Sequence, residues 1–464
     1  MPLISSLLDR LKKTAGLDRA IVYAVSARVW TILSNLVTVV LMTRYLSPIE
    51  QGYYFTLTAL VALQVIFELG FSFVIMQHAA HERAYLQLAA DGRIEGDPRA
   101  HSRLASVLQL AVRWYSRAAI ILGTFLIPAG IYFFSSNEQM GVSVHWLFPW
   151  LLSAAACIAV FLQDPLTSFL EGCGEIRQVA GLRLWQCLAN TAFAWTCMLT
   201  HHGLFAPGMM MIASALVGTI FLWRRRRLLL GLLRYPSGGD VISWQHEIWP
   251  FQWKIAVSWL CAYFTRQIFT PILFHYRNAV EAGQMGMSIS VVGYISAIVL
   301  AWMTTKAPVF GSLVARREYK DLDRLFNRTL LQAMSFLIFM SFCCMFAVIF
   351  LNRFFPSLAG RLVSPRAFAL LLVGTLGSVL VQSIAIYLRS FKREPFLWQS
   401  VAVAVLTLLV CRISVRTMGT MGISISYLVC TGGVGVLSAW MIFRGWRRAV
   451  EETAVLPVSF GGTK

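Results

Sequence analysis

Long apolar runs recur along the chain at 20–43, 52–77, 104–134, 146–170, 178–200, 204–223, 250–276, 283–305, 329–351, 367–388, 396–416 and 418–443, separated by polar stretches. A helix rises about 1.5 Å per residue, so roughly 20 apolar residues cross a hydrocarbon layer about 30 Å thick. The pattern predicts an all-α, polytopic membrane protein with twelve transmembrane helices. Residues 1–19 put Ile4, Leu7, Leu8 and Leu11 on one helical face and Arg10, Lys12 and Lys13 elsewhere, the signature of a helix lying in the membrane interface.

The polar punctuation repeats. Arg44-Tyr45-Leu46-Ser47-Pro48-Ile49-Glu50-Gln51-Gly52-Tyr53 joins spans one and two, and Asn278-Ala279-Val280-Glu281-Ala282-Gly283 joins spans seven and eight, with Glu281 and Gly283 each 231 residues beyond Glu50 and Gly52. The chain therefore reads as a duplication: an N-lobe over 20–223, a basic linker over 224–249, a C-lobe over 250–445 and a tail over 446–464. Six spans is an even number, so two six-helix lobes keep one orientation, related by an axis along the membrane normal.

Charge fixes the orientation. With the N-terminus inside, inner loops and tails hold 27 of the 40 Lys and Arg residues, including Arg224 to Arg227 and the run from Lys306 to Arg328. By the positive-inside rule both termini of this multi-pass protein are cytoplasmic. Arg353, Arg361 and Arg366 in one outer loop run against that trend. The net charge of +19 is divided into short clusters between apolar segments, a membrane-orientation pattern rather than a nucleic-acid grip. The nine cysteines lie mostly in apolar stretches without a Cys-x-x-Cys pair, which excludes a metal centre of that type and predicts small buried hydrophobes.

A few charges fall inside the spans. Arg28 and Glu68 each lie roughly 12 to 14 Å from the inner face at 1.5 Å per residue, a common depth that lets neighbouring helices pair them. Arg28, Thr31, Asn35 and Thr38 share one face of span one; Gln64, Glu68 and Ser72 share one face of span two. In span seven, Lys254, Ser258, Ala262, Arg266 and Thr270 form a ridge with a period of four. Arg113 and Arg117 lie one turn apart on span three. Arg at the centre of a membrane helix costs about 2.5 to 3.5 kcal/mol on insertion scales, so deep charges mark function or pairing. These residues predict a water-filled cavity with a cationic wall, lined by Arg28, Asn35, Lys254 and Arg266, with Glu68 and Gln64 serving ion coupling or an ion pair.

On the turn Arg44 to Tyr53, the segment Glu68-Leu69-Gly70-Phe71 and the twelve-span duplication, the chain resembles the Wzx-type polysaccharide flippases of the multidrug/oligosaccharidyl-lipid/polysaccharide exporter superfamily. The resemblance covers essentially the whole length. It implies a flippase that moves an undecaprenyl-diphosphate-linked oligosaccharide from the inner to the outer leaflet of the bacterial cytoplasmic membrane during O-antigen or exopolysaccharide synthesis. Arg28 and Arg266 would meet the diphosphate or acidic sugars, with Lys254 nearer the inner mouth. It also implies membrane lipid, a polysaccharide polymerase and chain-length machinery as partners, no cofactor, and Na⁺ or H⁺ as the coupling ion.

The competing readings are a flippase for the peptidoglycan lipid precursor, a cation-coupled drug exporter, and a membrane-embedded glycosyltransferase or polymerase. An exporter of cationic drugs calls for acidic residues, whereas the deep charges here are mainly basic. Asp321-Leu322-Asp323 has the spacing of a metal-binding Asp-x-Asp, but it lies beside Lys320 and Arg324, where a salt-bridged helix surface is expected. No long outer loop carries the carboxylates of an active site, so enzymatic activity is not expected, and no phosphate loop of the Gly-x-x-x-x-Gly-Lys-Ser/Thr type occurs, so direct ATP use is not expected either.

Overall fold

Helices make up nearly all of the computed structural model, which describes residues 19–83, 86–88, 94–137, 144–236, 244, 249–391 and 396–455. The interfacial helix expected over 1–19 lies, except for Arg19, outside the described residues, as does the end of the tail. The chain folds as two compact units, residues 1–260 and 261–464.

In the first unit, α1 (Arg19–Tyr45) packs against α7 (Ile176–Leu199), α7 against α8 (Ala206–Arg224), and α8 against α6 (Leu147–Gly172). Indole donors tie the first pair: Trp30 Nε1 donates to Thr191 Oγ1 at 3.1 Å and Trp195 Nε1 to Thr38 Oγ1 at 2.9 Å. Span two is broken. It runs through α2 (Pro48–Val61), a 3₁₀ turn and α3 (Val65–Glu68), then restarts as α4 (Phe71–Arg83) after a 44° bend. Leu69 and Gly70 at the break both have left-handed φ, 51° and 63°. After α4, β1 (Leu86–Leu88) and β2 (Ile94–Gly96) form a small antiparallel hairpin, an addition to the all-α expectation. It leads into α5 (Pro98–Ser136), whose 39 residues correspond to about 58 Å, nearly twice the hydrocarbon thickness. The helix therefore projects well beyond the membrane at its basic end.

The arginine cluster after α8 opens the short amphipathic helix α9 (Arg226–Leu233), which buries Leu228, Leu229 and Leu232. Its last turn is capped from α5: Gln109 Nε2 donates to the carbonyls of Leu232, Leu233 and Tyr235 at 3.3, 3.3 and 2.9 Å. Helix ends leave carbonyls short of intrahelical partners, and this one amide reaches the last turn and the residues just beyond it. Then α10 (Trp249–Arg266) begins in the first unit and ends in the second.

In the second unit, span seven is also broken: α10 stops at Arg266 and α11 (Phe269–Tyr276) resumes after a two-residue turn. The stretch expected as a basic loop from Lys306 to Arg328 is mostly helical, because α12 (Ala279–Ala315) and α13 (Tyr319–Phe354) both extend past the membrane and meet at Arg316 to Glu318. Following the short α14 (Pro356–Ala359), α15 (Pro365–Arg389) is the central helix and packs against α12, α13 and the last two spans. Glycines permit the closest approach: a Cβ on Gly377 would lie 2.6 Å from Gly432 Cα in the π-helical segment Leu428–Val434.

Helix α16 (Leu397–Tyr427), that π segment and α17 (Gly435–Val455) form an apolar run that folds back at Gly419, where φ is 55° and ψ is −131°. Ser414 and Ser426 Oγ, twelve residues apart, lie 2.8 Å from each other, and Gln399 Nε2 donates to Gly435 O at 2.7 Å. A straight helix would separate the two serines by about 18 Å. The run is therefore two antiparallel spans. Among the described residues, eight helices are long and apolar enough to cross a membrane, nine counting the bent span two; the more polar α7, the broken span seven and the reversal at Gly419 complete twelve crossings.

The repeated turn has the same job in each unit. Ser47 caps α2 in a reciprocal capping box with Glu50, and Asn278 caps α12 by accepting from Glu281 N at 2.7 Å. Tyr45 then meets the turn between spans five and six, edge-on to His201 at 5.3 Å. Tyr276, 231 residues later, lies beneath Arg416 at 4.9 Å, beside the turn between spans eleven and twelve. Both turns reverse through a left-handed residue, His201 with φ 60° and Gly419 with φ 55°. In the second unit Glu281 also reaches across, accepting from Thr420 N at 3.3 Å.

Gly419 combines a left-handed backbone with a Cβ position 2.4 Å from Glu281 Oε2. Gly419→Ala is expected to lower stability by about 1 to 3 kcal/mol, seen as an earlier thermal unfolding midpoint in detergent. Gly231→Ala, on an open face of α9, is the control and should be neutral or stabilising.

Candidate functional site

The break in span two places Glu68 at the C-terminus of α3, where helix carbonyls also lack intrahelical partners. Its carboxylate Oε1 accepts from Ser72 Oγ at 2.8 Å, and Ser72 shares a hydrogen bond with the buried Tyr115 hydroxyl at 2.7 Å. Asp164 on α6 is close enough to Glu68 for the two charges to interact. Gln64, one turn before Glu68, accepts from Cys157 Sγ at 2.9 Å. These groups form a polar core inside the first unit, walled by Phe71 and Phe161, which pack against Tyr115.

Arg28 is not part of that core. The expected Arg28–Glu68 pair is absent among the described residues, because α1 packs on α7 while α3 turns Glu68 towards α5. Arg28 is exposed and has no ion-pair or hydrogen-bond partner among the described residues; Asn35, two turns on, is half-buried. Between them, Thr31 donates to the Ala27 carbonyl at 2.8 Å. Arg113 and Arg117 are exposed near the point where α5 leaves the hydrocarbon, and Arg113 Nη2 is 3.5 Å from Gln109 Oε1. Lys254 is exposed, with its Nζ 6.0 Å from the Trp253 ring. Arg183 is engaged at the basic end, 2.6 Å from Glu171.

In the second unit Arg266 borders a small pocket whose remaining lining includes Phe269, Ser296, Ser378 and Tyr427. The break after Arg266 lets α11 set Phe269 edge-on against Tyr427, closing one wall. Among the described residues no carboxylate lines this pocket. It offers a guanidinium and hydroxyl groups among apolar walls, a setting for an anion. Among the described residues no group of three or more His, Cys, Asp or Glu converges to hold a metal ion. Asp323 accepts from Tyr387 at 2.7 Å and pairs with Arg447, and Asp321 pairs with Arg324 at 3.1 Å, so the Asp-x-Asp spacing serves structural ties.

Tyr115, Ser296, Ser378 and Tyr427 carry no charge and sit in apolar runs, so sequence pattern does not single them out. Ser72 alone was visible, as the third member of the Gln64 stripe.

No family model matches the sequence, and no curated protein matches it either. Solved structures do. One is an inward-facing multidrug resistance MATE family transporter of the MOP superfamily, 14% identical over 94% of this chain and 99% of that one, with a TM-score of 0.65. Another is the lipid II flippase MurJ in an inward closed conformation, 15% identical over 91% and 87%, with a TM-score of 0.59. A third is a MOP superfamily transporter from Pyrococcus furiosus with a binding pocket of reversed polarity, 14% identical over 94% and 96%, with a TM-score of 0.53. The fold is that of the MOP-superfamily transporters. Within this MOP fold, the chain is a multi-pass membrane protein whose structural neighbours are transporters and flippases, not enzymes.

Unpaired arginines in apolar helices need water or an anion beside them. In a chain stripped of its nine cysteines, Arg28→Cys and Arg266→Cys should react with a membrane-impermeant thiol reagent about tenfold or more faster than Leu36→Cys on the 62% exposed apolar face, since thiolate formation requires water. Equal rates would remove the cavity.

Proposed function

We propose that the chain is a flippase carrying an undecaprenyl-diphosphate-linked oligosaccharide from the cytoplasmic to the periplasmic leaflet of a bacterial inner membrane, by alternating access, during surface polysaccharide synthesis. The observation that carries this reading is the division of charge. Arg28, Lys254 and Arg266 are exposed without a carboxylate partner among the described residues, while Glu68 is hydrogen-bonded inside the first unit. A cation exporter needs the reverse arrangement, and the free positive charges here suit an anionic cargo. A diphosphate cannot cross hydrocarbon unaided, and an arginine fork matches its oxygens with two parallel hydrogen bonds. The polyprenyl tail remains in the bilayer while the head group moves past the cationic positions, Asn35 supplying a neutral contact beside Arg28.

Glu68 and Asp164 are the coupling groups in this proposal. Two interacting carboxylates, one of them at a helix break with Ser72 as its hydroxyl partner and Tyr115 behind it, suit a site that takes up and releases Na⁺ or H⁺. No cofactor enters the cycle, and the polymerase and chain-length machinery act on the cargo after release. The peptidoglycan precursor is the alternative cargo, favoured by the likeness to a lipid II flippase, and it shares the same lipid diphosphate.

In a bacterium dependent on this protein for surface polysaccharide, Arg28→Ala and Arg266→Ala should each cut display about ten- to hundredfold, the loss expected for a charged hydrogen-bonded contact. Membrane protein levels should not change. Normal display in both variants would contradict the assignment, and loss of viability through failed cell-wall synthesis would favour the alternative cargo.

A further inference from the structure

At the basic end of the first unit, three indoles form a ladder. Trp114 on α5 stacks on Trp244 with ring centroids 5.6 Å apart and planes 27° from parallel, and Trp244 packs on Trp249 at 5.0 Å. Phe71 backs the inner end edge-on at 6.0 Å, while Trp249 at the outer end is 42% exposed. Such indoles often anchor a helix at the membrane interface. Two donors here exceed that role.

Trp114 Nε1 and Gln252 Nε2 are both shielded from solvent and have no hydrogen-bond partner among the described residues. Gln252 is fully buried, and its orientation is fixed chemically. An indole nitrogen only donates, so the amide must present Oε1 to Trp244 Nε1, at 3.1 Å, and leave Nε2 unmatched. Both donors thus belong to side chains that touch Trp244, and a buried donor without an acceptor raises the energy of the closed ladder. An acceptor entering between the rungs removes that cost. Aromatic faces with hydrogen-bond donors at their edges suit a pyranose ring, whose C–H face packs on the indole while its hydroxyls accept. One cation flanks the ladder: Arg113 precedes Trp114 in the chain and is exposed.

We infer that the Trp114–Trp244–Trp249 ladder is a glycan subsite that receives the sugar next to the diphosphate, Trp114 Nε1 and Gln252 Nε2 donating to its hydroxyls while Arg113 faces the phosphates. This rests on the lipid-diphosphate cargo proposed above and adds selection for the glycosylated lipid over the bare carrier. Its position at the basic end of α5 makes it an entry site, which the cargo meets before the deeper Arg28.

The test is binding of two probes to the purified full chain in nanodiscs: farnesyl diphosphate bearing one N-acetylhexosamine, and farnesyl diphosphate alone. The wild-type chain should prefer the glycosylated probe about tenfold, the scale of two buried hydrogen bonds. Trp114→Phe keeps a ring in the stack and removes the N–H. Gln252→Met fills the same buried space and removes the free donor together with the acceptor used by Trp244. Each should reduce the preference to about threefold or less, one hydrogen bond to the sugar being lost, with binding of the bare probe unchanged; the thermal midpoint of Trp114→Phe should not fall, since an unmatched donor is gone. Arg113→Gln should weaken both probes alike. No wild-type preference, or tenfold preference retained in both donor variants, overturns the subsite and leaves the cargo reading standing. Failure of the wild-type chain to bind either probe overturns both.

Discussion

Hydrocarbon offers neither hydrogen bonds nor counter-ions, and that constraint governs the rest of this structure. Continuous helices satisfy it for the backbone. Hydroxyls inside the spans satisfy it locally by donating to the carbonyl one turn back, as Thr38, Ser296, Thr375 and Thr407 do at 2.7 to 2.9 Å. Where a helix breaks, the requirement returns, and the two broken spans stop at charged residues, Glu68 and Arg266. One charge is taken up inside its unit by Ser72; the other borders an open pocket. That difference separates a group suited to coupling from one suited to an anionic cargo.

Duplication explains why the breaks and turns recur and why they no longer match. Each unit joins its first two spans by a capped turn and rests a tyrosine against the turn between its last two spans. The first unit uses an aromatic contact, Tyr45 on His201, whereas the second adds charge through Arg416 and Glu281. This turn of the second unit is consequently held by more polar contacts, from the same ancestral position.

Elements with strong periodic signals were legible in the sequence. Twelve spans, the repeated turns at Glu50 and Glu281, and the structural role of Asp321 and Asp323 follow from hydropathy, cap chemistry and charge spacing. The depth match between Arg28 and Glu68 was misleading, since equal depth says nothing about which helices are neighbours, and α1 packs on α7. The break at Leu69 was hidden because a leucine adopts the left-handed conformation that glycine usually signals; only Gly70 hinted at it. Tyr115 and Tyr427 were invisible because an uncharged aromatic residue in an apolar run carries no polar signal. The basic stretch from 306 to 328 read as a loop, yet exposed helix accommodates charge equally well.

The most direct measurement uses the purified chain in sealed liposomes containing a fluorescent undecaprenyl-diphosphate-linked oligosaccharide and a membrane-impermeant quencher outside. The account predicts that label initially confined to the inner leaflet becomes quenchable at a rate set by the protein, with glycan length unchanged. Label that stays protected in the presence of folded protein and an imposed Na⁺ or H⁺ gradient, or a glycan that grows or is transferred, would contradict it.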